Sequence, residues 1–167
     1  MFEMIALAAF AGLVLYAALS DMSRLIIPNW VSIALAAIFP LAALIVGAPW
    51  MSVGLHVLFG VGILAAGFVL FQFNIIGGGD AKLLAAVSIW TGMTAFMPFI
   101  LWTAIAGGVM ALALLTARQL IPVGTYPAFV DHLLKKQNGI PYGVAIMVGA
   151  LMAIPSLPYL SSPLTLP

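Results

Sequence analysis

Acid–base chemistry has few places to sit in this chain. Its 167 residues hold four carboxylate side chains, Glu3, Asp21, Asp80 and Asp131. Asp21 closes one apolar stretch, and Asp80 closes the run Gly77-Gly78-Gly79-Asp80 and opens another. Consecutive glycines disfavour helix by roughly 1 kcal/mol each relative to Ala. They also bare the backbone, so that a peptide or a second carboxylate can come close to Asp80. Two aspartates at one site can divide the work of hydrolysis. The ionised one takes a proton from water while the protonated one polarises the scissile carbonyl. A solvated helix end explains either aspartate taken singly, because interfacial charge is ordinary. The glycine run followed by an acid is what favours chemistry. Asp80 falls at a predicted helix N-terminus, where the dipole favours its anion, and Asp21 at a C-terminus, where it does not. If the two meet they share one proton, with Asp80 favoured as the base.

Other catalytic kits are missing. Cysteine is absent, which excludes disulfides, thiolate zinc and a cysteine nucleophile. There is no His-Glu-x-x-His, no Gly-x-Ser-x-Gly and no phosphate-binding glycine loop. His132 beside Asp131 is too little for a metal site, and His56 is expected to lie far from the acids. No metal or other cofactor is therefore expected. A net charge of +1, with no basic run beyond Lys135-Lys136, gives no footprint for nucleic acid.

The elements that must position the aspartates follow from composition. The chain is 65% hydrophobic and 5% charged, against about 25% charged in soluble domains. It reads as an all-α polytopic membrane protein, a single domain over 1–167. Uncharged stretches cover residues 4–20, 25–79, 83–117 and 137–167. With roughly 20 residues per span, these hold one, two, two and one spans. The six are predicted near 4–20, 30–47, 53–72, 82–96, 98–117 and 141–160. Gly92 and Pro98 favour splitting the third stretch in two. Met-Phe-Glu at the start lacks the basic region of a cleavable signal, so the first stretch is expected to stay as a span.

This count puts Arg24, Lys82, Arg118, Lys135 and Lys136 all on one side, which the positive-inside rule makes cytoplasmic, with both termini outside. Asp21 and Asp80 fall on that same side. So does the polar stretch from about Arg118 to Gly139, where Asp131, Leu133 and Leu134 with Lys135-Lys136 suggest a short interfacial helix. Pro28 and Pro141 open spans there in Ile27-Pro28-Asn29 and Ile140-Pro141-Tyr142-Gly143. Proline at a first helical position is ordinary, yet Asn29 and Tyr142 are placed to offer hydrogen bonds beside the aspartates. Arg24 and Lys82 are explained by orientation alone, though either could tune a carboxylate.

An aspartate closing span 1, Ile-Pro-Asn opening span 2, Gly-x-Gly-Asp leading into span 4 and Ile-Pro-Tyr-Gly opening span 6 together resemble the type IV prepilin peptidases. With nothing ahead of span 1, the chain is most similar to the small prepilin peptidases of Flp (Tad) pilus systems. The resemblance implies an aspartyl endopeptidase of the bacterial inner membrane that removes prepilin leaders at the cytoplasmic face, cutting after a glycine. It places the catalytic pair at Asp21 and Asp80 and the motif glycines at Gly77 and Gly79, with Gly78 as the variable position. The N-methylating members carry a cytoplasmic insertion, often with paired cysteines. This chain lacks both, so N-methyltransferase activity is not expected.

Presenilin-type proteases share Gly-x-Gly-Asp but carry Pro-Ala-Leu, for which Pro127-Ala128-Phe129 is the nearest sequence here. A small ion- or proton-coupled transporter using the same aspartates, or a non-catalytic assembly subunit, is the alternative of another class. Transporter sites, however, usually lie at the midplane.

Overall fold

A computed structural model describes residues 1–120, 134 and 139–158. Among them the chain forms six α-helices and no strand: α1 (Phe2–Arg24), α2 (Asn29–Ile45), α3 (Trp50–Gln72), α4 (Gly78–Thr91), α5 (Phe96–Leu120) and α6 (Tyr142–Ala153). A 3₁₀ turn, Ile154–Ser156, extends α6. Three helices are long and apolar enough to cross a membrane: α1 and α3 with 23 residues each and α5 with 25. At 1.5 Å per residue each exceeds the hydrocarbon thickness of about 30 Å. The helix α2 and the α6 segment are apolar but shorter. Large apolar side chains such as Leu58, Val61, Phe68, Val109 and Leu112 are exposed on α3 and α5, as expected of a surface that meets lipid rather than water.

The helices fall close to the expected stretches, with three adjustments. The sixth, expected near 141–160, ends at Ala153, and its 3₁₀ turn at Ser156. The fourth helix was expected near 82–96; α4 starts at Gly78 and ends at Thr91. Gly78 and Gly79 are thus helical, forming the first turn with Asp80, and only Gly77 stays extended as the N-cap, at φ −71° and ψ 146°. At the other end Gly92 takes φ +54°, a conformation that favours glycine, and the chain turns into α5. The prolines Pro28 and Pro141 are N-cap residues, one position before the first helical residue where they were expected. Of the interfacial helix expected around Asp131, Leu133, Leu134, Lys135 and Lys136, only Leu134, which is buried, is among the described residues.

A short helix, α4, is the central one. α4 packs most extensively on α3, then on α2, and also touches α5 and α6. All its residues from Ala85 to Thr91 are buried. Trp90 is fully buried, its Nε1 donates to the Leu35 carbonyl at 2.9 Å, and its ring lies 4.7 Å from that of Phe10. The α3–α4 seam is cut close by glycines. A Cβ at Gly67 would lie 3.1 Å from that of Ala81, and one at Gly60 would strike the Ile89 side chain. Small residues are what lets helices approach in lipid, where no hydrophobic force draws apolar faces together. His56 Nδ1–H donates to the Ile89 carbonyl at 2.8 Å, and the ring stacks on Phe39. α6 lies between α1 and α5. At its α5 seam, a Cβ on Gly149 would overlap the Thr103 hydroxyl and stand 2.6 Å from the Phe99 carbonyl oxygen.

Candidate active site

Asp21 sits one turn from the C-terminus of α1. Leu25 caps that end in the left-handed conformation, φ 53°, donating its N–H to the Asp21 carbonyl at 2.8 Å. The Ser20 hydroxyl donates to the Ile26 carbonyl at 2.8 Å, which ties down the turn that follows. The Asp21 side chain is buried, with 6% of the residue exposed. Its Oδ2 accepts a 2.7 Å hydrogen bond from the backbone N–H of Gly143.

That donor has a physical origin. Gly143 is the second residue of α6, and the first N–H groups of a helix have no intrahelical partner. The carboxylate of one helix therefore satisfies the open N-terminus of another. A Cβ at Gly143 would lie 2.9 Å from both the Cβ and the Oδ2 of Asp21, so only glycine lets the two close to this distance. Gly143 is the site residue that sequence reasoning did not single out. It stands in the Ile140-Pro141-Tyr142-Gly143 run, but its role appears only once α6 docks on α1. It also alters the dipole argument. Asp21 faces the C-terminal end of its own helix and the N-terminal end of α6, and the latter favours an anion.

Asp80 occupies the third helical position of α4 behind the N-cap Gly77, ahead of the apolar stretch that follows Lys82. It is partly buried. From this position an acidic side chain can reach back to the N-cap N–H, one half of a capping box. It does so: a Cβ at Gly77 would lie 2.6 Å from Asp80 Oδ2, and the Gly77 N–H hydrogen-bonds the carboxylate. Gly79 supplies the join between the two arms of the site. A Cβ there would lie 3.2 Å from that of Ile27, so the start of α4 rests on the chain leaving α1. Gly78 faces the Phe71 ring, with a would-be contact of 3.4 Å.

The two carboxylates act on each other. Burial first, and then the negative charge of Asp21, push Asp80 up to about 6 from 3.8, against the Gly77 hydrogen bond, which pulls it down. The helix termini that meet here, the end of α1 and the starts of α4 and α6, thus bring together Asp21, Asp80, Gly77, Gly79 and Gly143. A pair that holds one proton near neutral pH can both accept and donate one.

Other expected residues stand further off. The Asn29 side chain, at the start of α2, accepts from Lys82 Nζ at 2.9 Å, so Lys82 is turned away from Asp80 toward α2. Tyr142 is 45% exposed and lays its ring along Gly107 of α5. Neither Asn29 nor Tyr142 bonds a carboxylate among the described residues. Arg118 donates to the Gly139 carbonyl at 3.0 Å, linking the end of α5 to the approach to α6. His56 lies against the C-terminal half of α4, remote from the acids. Among the described residues no three His, Cys, Asp or Glu side chains cluster as metal ligands would.

Compared with known proteins, the chain matches one family model, described as the type IV leader peptidase family, over residues 8–112. The match covers both aspartates and the glycine run. No curated protein and no solved structure shows a significant match.

Proposed function

The chain belongs to the type IV leader peptidase family, and on that premise we propose that it is an aspartyl endopeptidase that cleaves Flp-type prepilins after a glycine, at the cytoplasmic face of the inner membrane. The whole of 1–167 acts as one unit, crossing the membrane six times with both termini outside and Arg24, Lys82, Arg118, Lys135 and Lys136 inside. The observation that carries the reading is the convergence of helix ends at the two aspartates: Asp21 is held on the Gly143 amide, and the first turn of α4, which carries Asp80, rests on Ile27 just past α1.

In the mechanism proposed, water lies between the two carboxyl groups and the substrate carbonyl. The ionised carboxylate takes one proton from the water as its oxygen bonds to the carbonyl carbon. The protonated carboxyl hydrogen-bonds the carbonyl oxygen as negative charge builds there. Collapse of the tetrahedral intermediate breaks the C–N bond, and the proton first taken from water goes to the leaving amine. The helix-dipole argument favours Asp80 as the base. The Gly143 N–H gives Asp21 a comparable claim, so the roles are assigned to the pair. Gly77, exposed at the N-cap, keeps a side chain out of the path of an extended peptide, while Gly78 and Gly79 let the first turn of α4 pack on Phe71 and Ile27. Pro28 with Asn29, and Pro141 with Tyr142, fix the helix starts that border that path. Neither a metal nor a nucleotide takes part.

The test is co-expression with an Flp-type prepilin and the mass of the pilin N-terminus, for wild type, Asp21→Asn and Asp80→Asn. Cleavage after glycine in the wild type, reduced about 10²–10⁴-fold in each mutant, is the expected result. Cleavage persisting in both inserted mutants would overturn it, and the same spectrum reports on N-terminal methylation.

A further inference from the structure

We propose that the groove between α2, α3 and α4 is a binding site for one anionic phospholipid, with its phosphate at Lys82 and Asn29 and an acyl chain along α3. This assignment does not depend on the peptidase reading. The groove exists because α2 and α3 each pack mainly on α4 and scarcely on one another. It encloses about 640 Å³.

Its lining changes character with depth. At the basic end stand Lys82 and Asn29, joined by the 2.9 Å bond from Nζ to Oδ1. That bond leaves the Asn29 amide hydrogens, and two of the three ammonium hydrogens, to a further acceptor. Lys82 is paired with no carboxylate among the described residues. Ser32 follows one helical turn deeper, about 4.5 Å along α2. It lines the groove, is 8% exposed, and its hydroxyl has no hydrogen-bond partner among the described residues. The contrast with the other helical hydroxyls is sharp. Ser23, Ser88, Thr103 and Thr116 each donate to the carbonyl four residues back. For Ser32 that carbonyl belongs to Pro28 and already accepts from the Val31 N–H. A buried donor without a partner marks a place where an acceptor belongs. Beyond Ser32 the walls are apolar: Ile33, Ala36, Val57, Val61, Leu64 and Ile89.

Cation, neutral donor and hydrocarbon in this order match phosphate, ester carbonyl and acyl chain. Basic pockets between membrane helices on the cytoplasmic side are suited to anionic headgroups. Size decides against a peptide helix as the occupant. A helix about 10 Å wide needs roughly 400 Å³ per turn, so the groove holds about one and a half turns where a span needs more than five. A single alkyl chain fits it.

The experiment is native mass spectrometry of the full chain in detergent, with phosphatidylglycerol and phosphatidylcholine of identical chains added in equal amounts. The wild type is expected to retain one phosphatidylglycerol with a preference of about fivefold, the ratio that corresponds to one lysine at an anionic surface. Lys82→Gln should abolish the preference and Lys82→Arg should restore it. Val61→Trp, which fills the chain slot and leaves the polar end intact, should lower retention of both lipids. Inorganic phosphate at the same concentration should displace neither. Equal retention of the two lipids by the wild type would overturn the assignment, as would an undiminished preference in Lys82→Gln. Displacement by inorganic phosphate would also overturn it. So would a photo-crosslinker at position 61 that labels a substrate helix and no lipid.

Discussion

A carboxyl group that keeps its proton near neutrality also leaves a mark on stability. Asp80 is raised to about 6 from 3.8 in the folded protein, so the native state binds this proton more tightly than the unfolded chain does. The resulting stabilisation is complete below about pH 3.8 and is lost as pH rises through about 6. Asparagine at this position cannot titrate. Thermal melts in detergent should therefore show Asp80→Asn gaining on wild type between pH 4 and 8, with the two converging toward pH 4. The same titration should appear as a limb near pH 6 in the kcat/KM profile of the wild type, because the proposed mechanism needs one carboxyl protonated and one ionised. The Gly143 amide makes a second residue-scale demand. In Gly143→Ala the new methyl would meet Asp21 at 2.9 Å, so α6 must back away and the 2.7 Å bond must open. A shift of about 1 Å at a catalytic group costs about 100-fold. Cleavage by Gly143→Ala should fall by about that factor, measured on protein shown to be inserted and folded.

At the scale of the elements, the site is held by helix ends, and those ends are held by glycine seams further along the same helices. α6 reaches Asp21 only because it lies close on α5, where Gly149 faces Thr103 and the Phe99 carbonyl. Gly149→Ala should cost roughly 1–3 kcal/mol by overpacking, lower the melting temperature, and reduce cleavage by moving the N-terminus of α6. Gly12→Ala, where an added methyl meets nothing within 4 Å, is the matched control and should change neither.

These seams also explain what the sequence could and could not disclose. Asp21 and Asp80 were legible because an acid in so apolar a chain stands out, and the gaps between charges located the helices to within a few residues. Gly143 and Gly149 were not legible, because a glycine among apolar residues says nothing until its neighbour across the seam is known. The helical start of α4 at Gly78 was missed because glycine propensity argues against it. Burial along α4 and the reach of Asp80 back to the Gly77 N–H override that propensity. The Lys82–Asn29 bond joins residues 53 positions apart, beyond any local pattern.

At the scale of the whole molecule, the family model, the apolar composition and the three long helices describe a membrane peptidase, and the candidate site lies where three helix ends converge. The helix that carries Asp80 is short. Fourteen residues of α4 rise about 21 Å, whereas the hydrocarbon core of a typical bilayer is about 30 Å thick. In the proposed six-span topology, with Asp80 at the polar end, the shortfall falls at the other, which puts the turn from Gly92 to Ala95 in or near hydrocarbon. Irregular backbone survives at such a depth only when its polar groups are satisfied internally. Here the Gly92 and Ala95 N–H groups bond the Ser88 and Thr91 carbonyls, and the Thr91 hydroxyl bonds the Ser88 and Gly92 carbonyls. On that topology α4 is matched to a thinner bilayer than α1, α3 and α5 are. In nanodiscs of increasing acyl length, from 14 to 22 carbons as an order-of-magnitude range for the mismatch, the protein's melting temperature and cleavage rate should both decline at the long end. Membrane thickness would then act as a control on the enzyme, set by the lipids around it and independent of pH or substrate.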